Sequence, residues 1–120
     1  MIENMKNINA VDQIMQDLIA IGSGNIDIMK FDKKWTLKII NSGEHTNILD
    51  NSSSQDMVSR MFKLQVETLK EALISINDQV LTEGEKTTLF TKLNPYITQT
   101  IYTLYDAERA KKEKELSDLH

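Results

Sequence analysis

The spacing of apolar residues changes period twice along this 120-residue chain, and those two changes limit the fold more than any other feature. Val11, Ile14, Met15, Leu18 and Ile19 recur at i, i+3, i+4, i+7 and i+8, which places them on one stripe of a helix. From Ile26 the repeat drops to two. Ile26 and Ile28 alternate with Asp27 and Met29, then Trp35, Leu37 and Ile39 alternate with Thr36, Lys38 and Ile40, which reads as two strands. The helical repeat returns in Val58, Met61, Phe62, Gln65, Val66, Leu69, Leu73 and Ile76, widened by Met57, Leu64 and Ala72. Neither an all-helical bundle nor a pure sheet accommodates that order. The expected class is α+β, mostly helical: an N-terminal helix, a β-hairpin, a long central helix and a C-terminal helical pair.

Local signals set the boundaries. Asn9 is an N-cap residue type, and Gly22-Ser23-Gly24-Asn25 stops a helix because glycine takes left-handed conformations freely, so the first helix is expected over residues 10–21. Phe31-Asp32-Lys33-Lys34 is short and polar enough to close a hairpin, although the Asn-Gly or Asp-Gly signal is missing. Two strands alone are marginal, so the hairpin must pack on a helix or pair further; a free strand edge can accept a strand from a neighbouring subunit. If Trp35, Leu37 and Ile39 face the helices, Ile40 and Met29 or Phe31 fall on the other face. Asn41-Ser42-Gly43 ends the sheet, and a short helical turn is expected within Glu44 to Asp50. Ser53 with Asp56 approximates a capping box for a central helix over residues 55–76, followed by a turn at Asn77-Asp78-Gln79 and an apolar plug, Val80-Leu81. Thr82 and Glu85 form a capping box for a short helix carrying Leu89, Phe90 and Leu93, and Asn94-Pro95 ends it and begins the last, with Ile97, Ile101, Leu104 and Tyr105 inward. Past Tyr105 the stripe gives way to charge. Glu108–Lys112, Arg109–Glu113 and Lys111–Glu115 are opposite charges at i, i+4. Residues 1–105 therefore read as one α+β domain and 106–120 as a charged helical extension.

Composition narrows the function classes. A net charge of −4 disfavours a partner that must be bound by neutralising phosphates, so no nucleic acid is expected. With no cysteine, disulfides and thiolate metal sites are ruled out. No apolar run approaches the ~20 residues of a membrane span, and Met1 to Ala10 lacks a signal-peptide layout, so a cytoplasmic protein without membrane contact is expected.

Chemistry-bearing residues are scattered. Gly22-Ser23-Gly24-Asn25 follows a helix and precedes a strand, the reverse of a phosphate cradle. His45 has Glu44 beside it and Asp50 near it in sequence, too few ligands for a metal site and no nucleophile to activate. Asp12, Asp17, Glu83 and Glu85 belong to helix faces and helix starts. No catalytic, cofactor-binding or metal residue is assigned, and the expectation is a protein that is not an enzyme. Tyr96 and Tyr102 on the last helix, with Tyr105 turned inward, and Phe31 and Ile40 at the hairpin, are the candidate interface residues: exposed aromatics are favoured at protein contacts.

One longer pattern is familiar. A β segment ends in Trp35-Thr36-Leu37-Lys38-Ile39-Ile40-Asn41-Ser42-Gly43-Glu44, then come a polar loop with Asp50 and Asp56 and a long helix closing through Leu69 to Leu81. Glu85-Lys86 and a short helix follow, and a last helix of the form Ile101-Tyr102-x-Leu104-Tyr105. Over about 70 of its 120 residues the chain resembles small proteins of tailed bacteriophages, in the group of T4-type base-plate hub proteins and tail assembly chaperones. Gln79 follows Asp78 where that group often has glycine, which weakens the expectation of a tight turn there. The resemblance implies a non-enzymatic tail or base-plate component or assembly chaperone, without cofactor. Its implied partners are hub, tube or tape-measure proteins, in the host cytoplasm or the virion; a homo-oligomer is the expectation that the free strand edge adds. The alternative reading is a small acidic cytoplasmic module that regulates or inhibits a host protein.

Overall fold

The computed structural model describes residues 2–119. The expected α+β class is what it shows. Helix α1 (Ile2–Ile21) leads into strands β1 (Asn25–Lys30) and β2 (Lys33–Lys38), then helices α2 (Ser42–Asn51) and α3 (Met57–Ala72). Strands β3 (Leu73–Ile76) and β4 (Gln79–Val80) follow, then helices α4 (Glu83–Lys92) and α5 (Pro95–Ser117). The four strands form one antiparallel sheet in the order β1-β2-β3-β4.

The hairpin closes more tightly than its sequence announces. Lys30 pairs with Lys33, leaving the two-residue turn Phe31-Asp32 with φ of 56° and 63°. Two successive left-handed residues make a primed turn, whose twist matches that of the flanking strands. The second hairpin repeats the device at Asn77-Asp78, with φ of 51° and 65°, so a tight turn forms there without glycine. Hairpin pairing runs past the strands, where Ile39 N–H donates to Gly24 O at 2.9 Å.

The hairpin's missing partner is β3, and this corrects the central helix. The expected helix over 55–76 stops at Ala72, and Leu73–Ile76 joins the sheet beside β2. A bulge explains why the helical repeat runs on through the strand. The register shifts between Thr36 and Leu37, so that Leu73 sits opposite Leu37 while Ile76 sits opposite Trp35. One extra residue puts an i, i+3 pair on the same face of a strand, where regular alternation would oppose them. A further three starts differ from expectation. Helix α1 begins at Ile2, so Asn9 lies inside it rather than capping it. Helix α3 is capped by Asp56, whose carboxylate accepts from the Ser59 hydroxyl at 2.8 Å and from Ser59 N–H at 2.9 Å, bonds that hold its pKa below the usual carboxylate range. The segment expected as a short turn is the full helix α2, opened by a reciprocal capping box between Asn41 and Glu44. The Thr82–Glu85 box and the Asn94-Pro95 start form as expected.

The core lies between one sheet face and helices α3 and α5. Ile26, Ile28, Trp35, Leu37 and Leu73 meet Leu69 and Ala72 of α3, Phe90 of α4, and Ile101 and Tyr105 of α5. The opposite face presents Asp27, Met29 and Thr36, with Thr36 Oγ1 donating to Asp27 at 2.8 Å. Ile40 is not on that outer face: it lies beyond β2, half-buried against the core.

Helix α1 and the end of α5 stand away from this core. The radius of gyration is 17.5 Å, against about 14 Å for a compact chain of this length. On α5 the charged stretch stays helical, with its ions paired at i, i+3, Arg109–Asp106 at 2.6 Å and Lys111–Glu108 at 3.0 Å, rather than with the expected i+4 partners.

Candidate functional site

Two unfilled apolar surfaces meet at the junction of α1 with the sheet. The first is the stripe on α1. Val11, Ile14, Met15, Leu18 and Ile19, chosen by the chain for one helix face, are 53–67% exposed. Glycines let α1 leave the domain at this point: Gly24 has φ of 137°, a conformation that side chains disfavour.

The second is a groove of about 670 Å³. Ile21, Gly22 and Ser23 border it from the end of α1, Ile39, Ile40 and Asn41 from the sheet, and Ser42, His45 and Thr46 from the first turns of α2. The end of α5 supplies Arg109, Lys112, Glu113, Glu115, Leu116 and, just past it, Leu119. The groove thus has an aliphatic floor and a rim of mixed charge.

One wall of the groove is firmly fixed. Tyr105 is buried, and its hydroxyl donates to Lys38 O at 2.8 Å, tying α5 to the end of β2. Burial pushes the Tyr105 hydroxyl pKa up, so it keeps the proton it donates. The Arg109 guanidinium lies 5.6 Å from the centre of the Tyr105 ring, a cation–π distance, and is held by Asp106. Behind the sheet, Lys38 Nζ reaches Glu44 of α2 and stands 4.0 Å from Glu71 of α3. Burial pushes Glu44 up, but hydrogen bonds from Lys38 Nζ and Asn41 N–H outweigh it and hold the carboxyl low. Glu71 moves the other way, raised by its hydrogen bond to Glu44 and then by burial. This cluster joins three elements.

The expected interface residues are not gathered in one place. Ile40 lines the groove; Phe31 sits on the hairpin turn, with Lys30 Nζ 5.9 Å from its ring centre. Tyr96 is 68% exposed at the start of α5, while Tyr102 is half-buried against the core. His45 is exposed on α2 and borders the groove with Glu113 and Glu115, and among the described residues no group of three His, Cys, Asp or Glu is placed to hold a metal ion.

The sequence does not announce the groove, because residues 106–120 read as a charged helical extension separate from the domain. The signal was present: Leu116 and Leu119 lie one turn apart, and Lys112 and Arg109 fall on the same side four and seven residues before Leu116. A second exposed patch, Met57, Val58 and Met61, occupies the first turns of α3. Among the described residues no helix is long and apolar enough to cross a membrane. No protein-family model, curated protein or solved structure matches this chain.

Proposed function

We propose that this chain works by binding other proteins rather than by catalysis, as a structural component or assembly chaperone of a bacteriophage tail or base plate. The observation that carries the binding role is the α1 stripe, five aliphatic or thioether side chains more than half exposed on one helix face. A contiguous apolar face of that extent on a small domain is costly to leave in water and marks a contact surface. The tail assignment rests on the likeness running from Trp35 to Tyr105. Its partners are then hub, tube or tape-measure proteins met in the host cytoplasm.

Affinity capture from infected cells, with mass spectrometry of what is retained, tests this reading. Tail proteins are expected with the natural chain and lost with Leu18→Asp, which charges the stripe without touching the core. Capture of host proteins alone, in the same amounts with both chains, would overturn it. Purified virions then separate the two tail roles, since a structural component is present at fixed stoichiometry and an assembly chaperone is absent.

A further inference from the structure

We propose that helix α1 is received by a groove on another protein, one with an apolar floor and lysine or arginine along both rims. The assignment rests on the binding role of the α1 stripe and adds the charge of the surface that covers it. At about 100° per residue, the stripe has a carboxylate on each margin. Asp12 stands one turn from Met15 and two from Ile19 on one side, and Asp17 one turn from Ile14 and Ile21 on the other. The back of the helix carries Gln13, Gln16 and Ala20, and from Ala10 to Ile21 there is no lysine or arginine. The apolar face is thus bracketed by negative charge alone.

The stability of the helix does not account for these two aspartates. Aspartate is among the weaker helix formers. Both lie well past the first turn, where the helix dipole favours a carboxylate, and Asp17 is one turn from the negative end, which has no basic residue. Neither takes part in an ion pair among the described residues, although each of α2 to α5 sets at least one carboxylate against a cation of this chain. Asp17 accepts a hydrogen bond from Gln13 Nε2 at 2.8 Å, which orients the carboxylate and leaves its charge uncompensated.

Charge then chooses among the surfaces that could cover the stripe. A second α1 brings acid against acid at both margins, and an anionic lipid surface repels them likewise. The groove of this chain's own domain mixes cations with carboxylates on its rim, and its Arg109 is already held by Asp106. A basic-rimmed groove on a partner protein meets the apolar face and both margins at once, with anchors at i, i+3, i+4 and i+7. The stripe supplies the affinity, while the margins set orientation, partner choice and the rate of encounter.

Capture from infected cells, with mass spectrometry of the retained proteins, tests the assignment on four chains. They are the natural chain, Leu18→Asp, the pair Asp12→Lys and Asp17→Lys, and the pair Glu113→Lys and Glu115→Lys, which changes net charge equally but away from the stripe. Lysine is a better helix former than aspartate at these exposed positions, so the α1 pair is expected to melt no lower than the natural chain, and its loss of binding is not unfolding. Proteins held by the natural chain and lost with Leu18→Asp are expected to fall roughly tenfold with the α1 pair and to stay with the α5 pair. Their retention is also expected to fall as salt rises from about 0.05 M to about 0.5 M. Retention that is unchanged or higher with the α1 pair, while Leu18→Asp still loses it, would overturn the basic rims and leave the binding role standing. Equal losses with the α5 pair would overturn them too, because net charge rather than the margins would be what the partner senses. A natural chain that retains nothing, or retains the same proteins as Leu18→Asp, would overturn the binding role and the basic rims together.

Discussion

Helices α1 and α5 are the two long helices of the chain, and both carry an aliphatic stripe, yet the stripes have opposite fates. Ile101 and Tyr105 of α5 are fully buried, while Val11, Ile14, Met15, Leu18, Ile19 and Ile21 of α1 are each more than half exposed. Patterning does not separate them; attachment does. Helix α5 packs on β1 and α3 and is bolted to the sheet by the Tyr105–Lys38 hydrogen bond. Helix α1 is joined to the domain by a glycine-bounded turn. Amphipathic spacing states that a face requires cover. Whether the cover comes from the same chain is decided by where the chain leads the helix.

The sharpest way to break this contrast is to cut equal side chains from the two kinds of surface. Leu37→Ala, in the core beneath α5, is expected to lose about 2–5 kcal/mol of stability through lost burial and the cavity left behind. Leu18→Ala on α1 is expected to stay within about 0.5 kcal/mol when measured on dilute chain. Denaturant midpoints for the two variants check both figures. A loss at Leu18 as large as that at Leu37 would show that the stripe is packed on its own domain after all.

Most of the fold could be read before the structure because each element obeys a local rule. The first glycine turn, the Thr82–Glu85 capping box and Asn94-Pro95 fall where hydrogen-bonding and backbone rules place them. What could not be read is long-range. Leu73 and Ile76 continue a helical spacing perfectly well, and only the unpaired edge of β2, from a segment some 36 residues earlier in the chain, draws them into the sheet. Likewise the groove needs the ends of α1, β2 and α5 and the start of α2 in one place, and no single window of sequence contains them.

Two smaller changes sharpen the account of how α5 and α3 are anchored. Tyr105→Phe removes the hydroxyl that donates to Lys38 O and keeps the ring. It is expected to cost about 1 kcal/mol, since a partly buried carbonyl loses a hydrogen bond. Faster amide exchange at the end of β2 and along α5, with α1 unchanged, would mark the hydroxyl as the bolt. Gln65 works in the opposite direction. Its Oε1 is buried without a hydrogen-bond partner among the described residues, so Gln65→Met, close in shape and without the polar atoms, is expected to raise stability by about 1 kcal/mol. A lower denaturant midpoint for that variant would show that Gln65 is hydrogen-bonded in solution.

The smallest effect is expected from acid, and it too is confined to the anchored half. Glu71 has its pKa raised by the hydrogen bond to Glu44 and by burial, so its contribution to stability is present below the unfolded value of about 4.3 and is lost as pH rises through the folded value. Glu44, held low by Lys38 and Asn41 against burial, contributes above its unfolded value and loses that as pH falls through its folded value. At neutral pH the first contribution is gone and the second is intact. Glu71→Gln, which resembles the protonated form, is therefore expected to melt higher than the natural chain at neutral pH, and the gap should close as pH falls below the ordinary glutamate range. Both carboxylates are partly exposed, so screening keeps the gap on the order of 1 °C. Glu44→Gln is expected to melt lower at neutral pH, with its deficit shrinking in acid. Leu18→Asp should keep the natural pH profile of the domain, because the cluster joins β2, α2 and α3 and leaves α1 out. A gap for Glu71→Gln that is the same at every pH would show that the two carboxylates do not share a proton, and that α2 is held to the sheet by Lys38 alone.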